Sequence, residues 1–188
     1  VPDVGRGQEI LIKDTIKAYQ EAAGMAAELK PDTLVVISPH AVMYADYFHV
    51  SPGKEARGDF GRFMAPQIGV EAGYDEAFVR ELDRLCGDDD FPMGTEGERE
   101  KELDHGTLVP LYFINQHYRD YKLVRIGGSG LSFADHYRAG RYIARAAENL
   151  GRSVFIVASG DLSHKLRGDG PYGYSVQGPE YDERIMDV

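Results

Sequence analysis

The sequence has little of three features that would each suggest a protein class: cysteine, net positive charge and long hydrophobic runs. Its one cysteine, Cys86, cannot form an internal disulfide, and this favours a reducing cytoplasm as its location. The 21 basic residues are outnumbered by 31 acidic ones, and a net charge of −10 argues against binding to nucleic acid or anionic lipid. The apolar runs are far shorter than the roughly 18 residues of a membrane span. We therefore expect a globular domain with neither a nucleic-acid nor a membrane partner.

The length of 188 residues fits one domain, residues 1–188, with a sizeable core. The sequence starts at Val1 rather than at a methionine, and it stops at Val188 within a predicted helix, Tyr181 to Val188. We therefore expect the domain to be truncated at both ends.

Hydrophobic periodicity predicts alternating helices and buried strands. Apolar residues recur every three or four positions from Glu9 to Leu29 and again from Ala134 to Leu150, which indicates amphipathic helices. Continuous apolar runs predict strands covered on both faces at Thr33–Ile37, Tyr121–Ile126 and Val154–Ala158. This alternation predicts an α/β fold, a three-layer sandwich with a central, largely parallel sheet in which Thr33–Ile37 is central.

The intervening segments are predicted as follows. Helices are expected at Tyr74–Leu85, followed by a buried Cys86, and from Leu108 to His117 with Pro110 in the first turn. Short strands or an excursion over the sheet are expected between Tyr44 and Val70, and an exposed acidic loop between Asp88 and Lys101.

Three histidines follow apolar runs at the points where strands give way to turns or helices: His40, His105 and His164. Since the carboxyl ends of parallel strands line the ligand crevice of an open α/β sheet, we expect these imidazoles to share one pocket. His40 is the candidate metal ligand, and His164 the candidate for proton transfer. For His105, a site role with its ring bonded to Asp104 competes with a first-turn position in a helix capped by Asp104.

Other segments carry weaker signals. Arg62, within Gly58–Phe63, is a candidate carboxylate ligand or part of a surface turn. Gly127–Gly130 favours a tight turn over an anion site. The aromatic residues Tyr44, Tyr47, Phe48, Phe60 and Phe63 are expected either to line an aromatic-binding mouth or to form a buried cluster. The histidines His49, His117 and His136 are interpreted as structural.

Three stretches together resemble a known family. They are Pro31–His40 (PDTLVVISPH), Asp104–Leu111 (DHGTLVPL) and Ser159–Leu166 (SGDLSHKL). In this order they are similar to the class III extradiol ring-cleavage dioxygenases of the catalytic-subunit type, along essentially the whole chain. The likeness is greatest to the branch named for the AmmeMemoRadiSam system, to which the Memo proteins are related.

The resemblance implies a non-haem Fe(II) site of two histidines and one carboxylate, with a catecholic substrate and O2 as partners. His40 matches a metal-ligand histidine, His164 the acid/base histidine and His105 a second-sphere histidine near the substrate. The other histidine ligand is expected before Val1 and the glutamate ligand after Val188, with Glu180 and Glu183 as the nearest stand-ins. Folds of this type often form homo-oligomers.

Two alternatives remain open from the sequence. One is a zinc hydrolase in which His40, His105 and His164 form a three-histidine site that activates water. The other is a non-catalytic module, like Memo, for metal binding or protein interaction. The leading hypothesis is a Fe(II)-dependent dioxygenase-like enzyme that acts on a catecholic aromatic ring.

Overall fold

The structure, a computed structural model, describes residues 1–187. In chain order its helices are α1 (Pro2–Gly5), a 3-10 helix (Gln8–Ile12), α2 (Lys13–Leu29), a second 3-10 helix (Gly61–Phe63), α3 (Glu76–Asp88), α4 (His105–Ile114), α5 (Phe133–Leu150) and α6 (Gln177–Met186). The strands are β1 (Thr33–Ser38), β2 (Phe48–His49), β3 (Glu55–Phe60), β4 (Ala65–Gly73), β5 (Met93–Gly94), β6 (Lys122–Gly127) and β7 (Val154–Ala158).

The central sheet is parallel, with strand order β6-β1-β7. The three strands predicted as buried are the three strands of this sheet, and β1 is central, as predicted. Alternate side chains of β1 point to opposite faces, so Leu34 and Val36 pack into one core while Val35 packs into the other.

Helices cover both faces of the sheet and complete the predicted three-layer sandwich. Helices α2 and α4 pack together on one side, where the core also includes residues of the β3–β4 hairpin. Helices α3 and α5 pack together on the other side. No helix within residues 1–187 is long and apolar enough to cross a membrane.

Helix α4 starts at His105, three residues earlier than predicted. Asp104 is its N-cap, and the Asp104 side chain accepts a hydrogen bond from the Thr107 amide at 3.0 Å. This cap fixes the start of the helix and leaves Pro110 inside it, rather than in the first turn. His105 is therefore at the first helical position.

Two further boundaries differ from the prediction. The segment between Asp88 and Lys101 is only partly an exposed loop, because Phe91 and Met93 are buried and β5 pairs with β2. The last helix starts at Gln177, four residues before the predicted Tyr181. Val188, the predicted end of that helix, lies outside the described residues.

Candidate functional site

Three histidine-bearing segments meet at the carboxyl edge of the sheet. His40 lies two residues after β1, and His105 begins α4. Their rings lie 4.0 Å apart between centroids, with an interplanar angle of 36°. His164 lies on the loop that follows β7, and its ring packs against Tyr172 at 4.9 Å between centroids.

Asp161 connects the first and third of these histidines. One oxygen of its carboxylate lies 3.7 Å from Nε2 of His40 and 3.5 Å from Nε2 of His164. Asp161 lies within the Ser159–Leu166 motif, and its role was not predicted from the sequence. Its position, three residues before His164 and directly after a glycine turn, was the available signal. Asp161 thus joins His40 to His164, and His40 in turn packs against His105.

The 4.0 Å approach of the His40 and His105 rings depends on a network below them. Ser38, at the end of β1, is buried, and its hydroxyl donates to Oδ1 of Asp104 at 2.5 Å. The same hydroxyl accepts from the His40 amide at 3.2 Å. The Asp104 carboxylate also accepts from the Thr107 hydroxyl at 2.9 Å. These contacts tie the end of β1 to the start of α4.

The expected bond from Asp104 to the His105 ring does not form. The Asp104 carboxylate is bound by Ser38 and Thr107 instead, as a helix cap that faces the end of β1. Partial burial and the neighbouring His40 ring lower the pKa of His105 below its ordinary value. A neutral His105 ring can exchange a hydrogen bond with a substrate without adding charge to the site.

Arg125 is a buried residue that the sequence analysis missed. It lies on β6 with 1% of its surface exposed, and it donates to the carbonyl oxygens of Glu102 and Glu100, each at 2.6 Å. Its guanidinium lies 3.7 Å from the Asp104 carboxylate and 3.8 Å from that of Glu98. Arg125 therefore fixes the segment that leads into α4. A charged residue in the middle of an apolar strand was the signal for such a role.

The loop that carries His164 is held from α6. Asp182, on α6, is mostly buried, and its carboxylate accepts a hydrogen bond from the Ser163 amide at 2.7 Å. The expected stand-ins for a metal-binding carboxylate, Glu180 and Glu183, are both exposed, and Glu180 pairs with Arg184 at 3.5 Å. The carboxylate that helix α6 contributes near the site is thus Asp182, in a structural contact.

The remaining candidates are distributed as follows. Arg62 and Phe63 lie beside His105, where they line a cavity of about 210 Å³ together with His40. Of the five aromatic residues expected to form either a mouth or a buried cluster, Phe48 and Phe60 are buried in the two cores, and Phe63 borders this cavity.

The other candidate segments have structural roles. The backbone of the Gly127–Gly130 segment packs closely against that of Val42, since a Cβ at Gly127 would lie 1.9 Å from the Val42 carbonyl oxygen. The ring of His49 is fully buried, and burial lowers its pKa. His117 contacts Gln20, and His136 packs edge-on against Phe48.

The described residues do not complete a metal site by themselves. Within residues 1–187, no group of three or more histidine, cysteine, aspartate or glutamate side chains is arranged to hold a metal ion. The three-histidine zinc site is therefore not formed, because the His40 and His105 rings pack against each other and Asp161 lies between His40 and His164. His40 and Asp161 nevertheless have the donor types, imidazole and carboxylate, that non-haem iron takes.

A parallel α/β sheet with a histidine and carboxylate cluster at its carboxyl edge is typical of an enzyme active site. The chain belongs to the family described as the catalytic LigB subunit of aromatic ring-opening dioxygenase, whose family model matches residues 1–188. This membership agrees with the family-level resemblance of the sequence motifs.

Two curated relatives extend this comparison. The chain is 37% identical over 193 residues to a Clostridium acetobutylicum protein designated Protein CA_C1420, with 99% of this chain aligned. It is 26% identical over 160 residues to the 3,4-dihydroxyphenylacetate 2,3-dioxygenase of Escherichia coli, with 82% of this chain aligned. The chain spans 41% of the first relative and 57% of the second.

Proposed function

We propose that this chain supplies most of the active site of a dioxygenase that opens a catecholic aromatic ring with O2. The observation that carries the proposal is the contact of Asp161 with His40 and His164, and of His40 with His105, in a chain of the ring-opening dioxygenase family. The E. coli relative, whose name states ring-dioxygenase activity on a catechol, supports the same class of substrate.

We propose Fe(II) as the metal, with His40 as one ligand and the other ligands supplied by the whole protein. When bound, a ferrous ion with open coordination positions supplies redox chemistry toward O2 and a Lewis acid for the catechol oxygens. The motif likeness supports assignment of the chain to the Memo-related branch. The single cysteine, Cys86, supports a cytoplasmic location for the enzyme.

The protein side chains have separate roles in this scheme. His164 takes a proton from a catechol hydroxyl, and Asp161, 3.5 Å away, stabilises the imidazolium that results. His105, whose ring lies 4.0 Å from that of His40, orients the substrate by a hydrogen bond. Ser38 and Asp104 keep the His40 and His105 rings together.

The test is an aerobic assay of the whole iron-loaded protein against a panel of catechols, with O2 uptake as the readout. Replacing the acid/base residue, His164→Ala, is expected to lower kcat by about 10²- to 10⁴-fold, the usual contribution of a positioned proton acceptor. His117→Ala is the matched control, because His117 is exposed and its ring contacts Gln20 outside the site. Absence of O2 uptake with every catechol, or equal activity of His164→Ala and the wild type, would contradict the proposal.

A further inference from the structure

Two cavities meet at His105. The smaller one, described above, has a volume of about 210 Å³ and includes His40. The larger one has a volume of about 490 Å³ and lies beneath α1 and the first 3-10 helix. Phe63 and His105 line both cavities, and their rings are in edge-to-face contact with 5.6 Å between centroids. The larger cavity therefore adjoins the histidine pair, with the Phe63 and His105 rings at the boundary between the two spaces.

The two cavities differ in chemistry. Charged residues dominate the lining of the smaller one, which includes Asp59, Glu100, Glu102, Asp104 and Arg62, and the Arg125 guanidinium lies 3.7 Å from the Asp104 carboxylate. The larger one is mainly apolar, and its wall includes Val4, Leu11, Ile12, Phe60, Phe63 and Val109.

These linings discriminate between ring substituents. A negatively charged substituent in the larger cavity would lose its hydration with no Lys or Arg side chain among the described lining residues to pair with it, which disfavours it. An apolar substituent in the larger cavity would remove its own surface and that of Ile12 and Val109 from water, which is favourable in proportion to the area. A volume of about 490 Å³ is within the range of small-molecule sites.

We propose that the catecholic substrate of this protein carries an apolar, uncharged ring substituent, which binds in the larger cavity between Phe63 and the N-terminal helices. This inference rests on the proposed function, because it takes the catechol ring to be held at His40 and His105. It assigns Ile12, Phe63 and Val109 to substrate specificity. It also distinguishes the protein from its E. coli relative, whose named substrate carries a carboxylate.

The experiment measures dissociation constants by anaerobic titration calorimetry on the whole iron-loaded protein. The ligands are 4-methylcatechol, 4-propylcatechol and 3,4-dihydroxyphenylacetate. Because each buried methylene strengthens binding by about three- to fourfold, 4-propylcatechol is expected to bind about tenfold more tightly than 4-methylcatechol. The anionic 3,4-dihydroxyphenylacetate is expected to bind more weakly than 4-propylcatechol.

Two matched variants test whether the affinity gain from the propyl group arises in the larger cavity. Ile12→Ser is expected to remove most of the advantage of the propyl group, whereas Ile185→Ser is expected to retain it. The two isoleucines are 47% and 49% exposed, but Ile185 lies on α6 and does not line the cavity. Val109→Thr, which is nearly isosteric, provides a second variant in the cavity wall.

The outcomes separate this inference from the proposed function. Equal affinity for the methyl and propyl ligands, or tightest binding of 3,4-dihydroxyphenylacetate, would overturn the apolar subsite and leave the dioxygenase proposal in place. Loss of the propyl advantage in Ile185→Ser as well as in Ile12→Ser would also overturn it. Failure of every catechol to bind would overturn the proposed function itself.

Discussion

Gly106 is the residue at which packing constrains the candidate site most directly. A Cβ at this position would lie 2.5 Å from the Ser38 hydroxyl and 3.3 Å from Cδ2 of His40. Glycine is therefore needed here for close approach of the start of α4 to the end of β1.

Substitution Gly106→Ala is expected to displace Ser38 and the His40 ring, and to lower the free energy of unfolding by about 1–3 kcal/mol through overpacking. Fe(II) affinity of the whole protein is expected to fall with it, since His40 is the proposed ligand. Calorimetric metal titration and urea denaturation measure the two effects.

Gly140→Ala is the control for that substitution. Gly140 is exposed on α5, and a Cβ there would meet nothing within 4 Å. Alanine at this helix-interior position is expected to stabilise the protein by about 0.5–1 kcal/mol and to leave Fe(II) affinity unchanged. Unchanged stability and metal binding in Gly106→Ala would show that the two segments are not in the contact described.

At the same scale, some site residues could be read from the sequence and others could not. Of the candidate histidines, His40 and His164 follow strands β1 and β7, and that local pattern sufficed to select them. The expectation that His105 also follows a strand was wrong, because an acidic segment without strand structure precedes it. The contacts of Arg125 with Glu100 and Glu102 cross 25 and 23 positions of the chain, so no local pattern specifies them. Long-range polar contacts of this kind depend on tertiary packing.

At the scale of elements, side-chain caps determine where helices begin, and the predicted helix starts are accurate only where they agree with these caps. Helix α3 begins after Asp75, whose buried carboxylate accepts from the Phe78 amide at 3.1 Å and from the Thr33 hydroxyl at 2.7 Å. This carboxylate joins α3 to the first residue of β1. The predicted start of α3 at Tyr74 is close to the observed one. The predicted start of α4 at Leu108 was wrong, because it relied on the preference of proline for the first helical turn, whereas the Asp104 cap starts the helix at His105.

Substitution Asp75→Ala is expected to lower the free energy of unfolding by about 2–3 kcal/mol, because it removes a cap and leaves the buried Thr33 hydroxyl without its acceptor. Ser132→Ala, at the exposed cap of α5, is the control and is expected to lower it by about 1 kcal/mol. Both values follow from urea denaturation. Equal losses in the two variants would contradict the role assigned to the Asp75–Thr33 bond.

The contact between α3 and α5 predicts part of the pH dependence of stability. Hydrogen bonds from Arg84 and Asn149 lower the pKa of Glu81 from 4.5 to about 2. A carboxylate with a lowered pKa in the folded state stabilises that state above the unfolded pKa, and this stabilisation is lost as the pH falls from 4.5 towards 2. Because Glu81 is at the surface, salt reduces the effect.

Substitution Glu81→Gln is therefore expected to flatten the decline of stability over this acidic range. Stability curves at a series of pH values between 5 and about 2 measure the slope. Glu148→Gln, on the same helix as Asn149, serves as the control and is expected to keep the wild-type slope. A wild-type slope in Glu81→Gln would show that Glu81 is not held by Arg84 and Asn149.

At the scale of the whole molecule, the order of buried strands and amphipathic helices was sufficient to predict a three-layer α/β fold. The short pair β2 and β5 escaped prediction because two-residue strands leave no periodic signal. The segment containing Met93 was interpreted from its acidic neighbours as exposed, although Met93 packs against the α3 and α5 core. In this segment the acidic composition did not predict burial, because burial of Met93 depends on packing against helices distant in sequence.

The proposed active site lies at one edge of this fold. Asp161 and the three histidines supply imidazole and carboxylate groups at one edge of the sheet, and the adjoining apolar cavity provides room for a ring substituent.

The most direct test of the central claim is isotope labelling with ¹⁸O2 during turnover of a catechol by the whole iron-loaded protein. Ring opening by a dioxygenase predicts that both oxygen atoms of one O2 molecule appear in the ring-opened product, as measured by mass spectrometry. A product whose new oxygen comes only from water would contradict the account and point to hydrolysis.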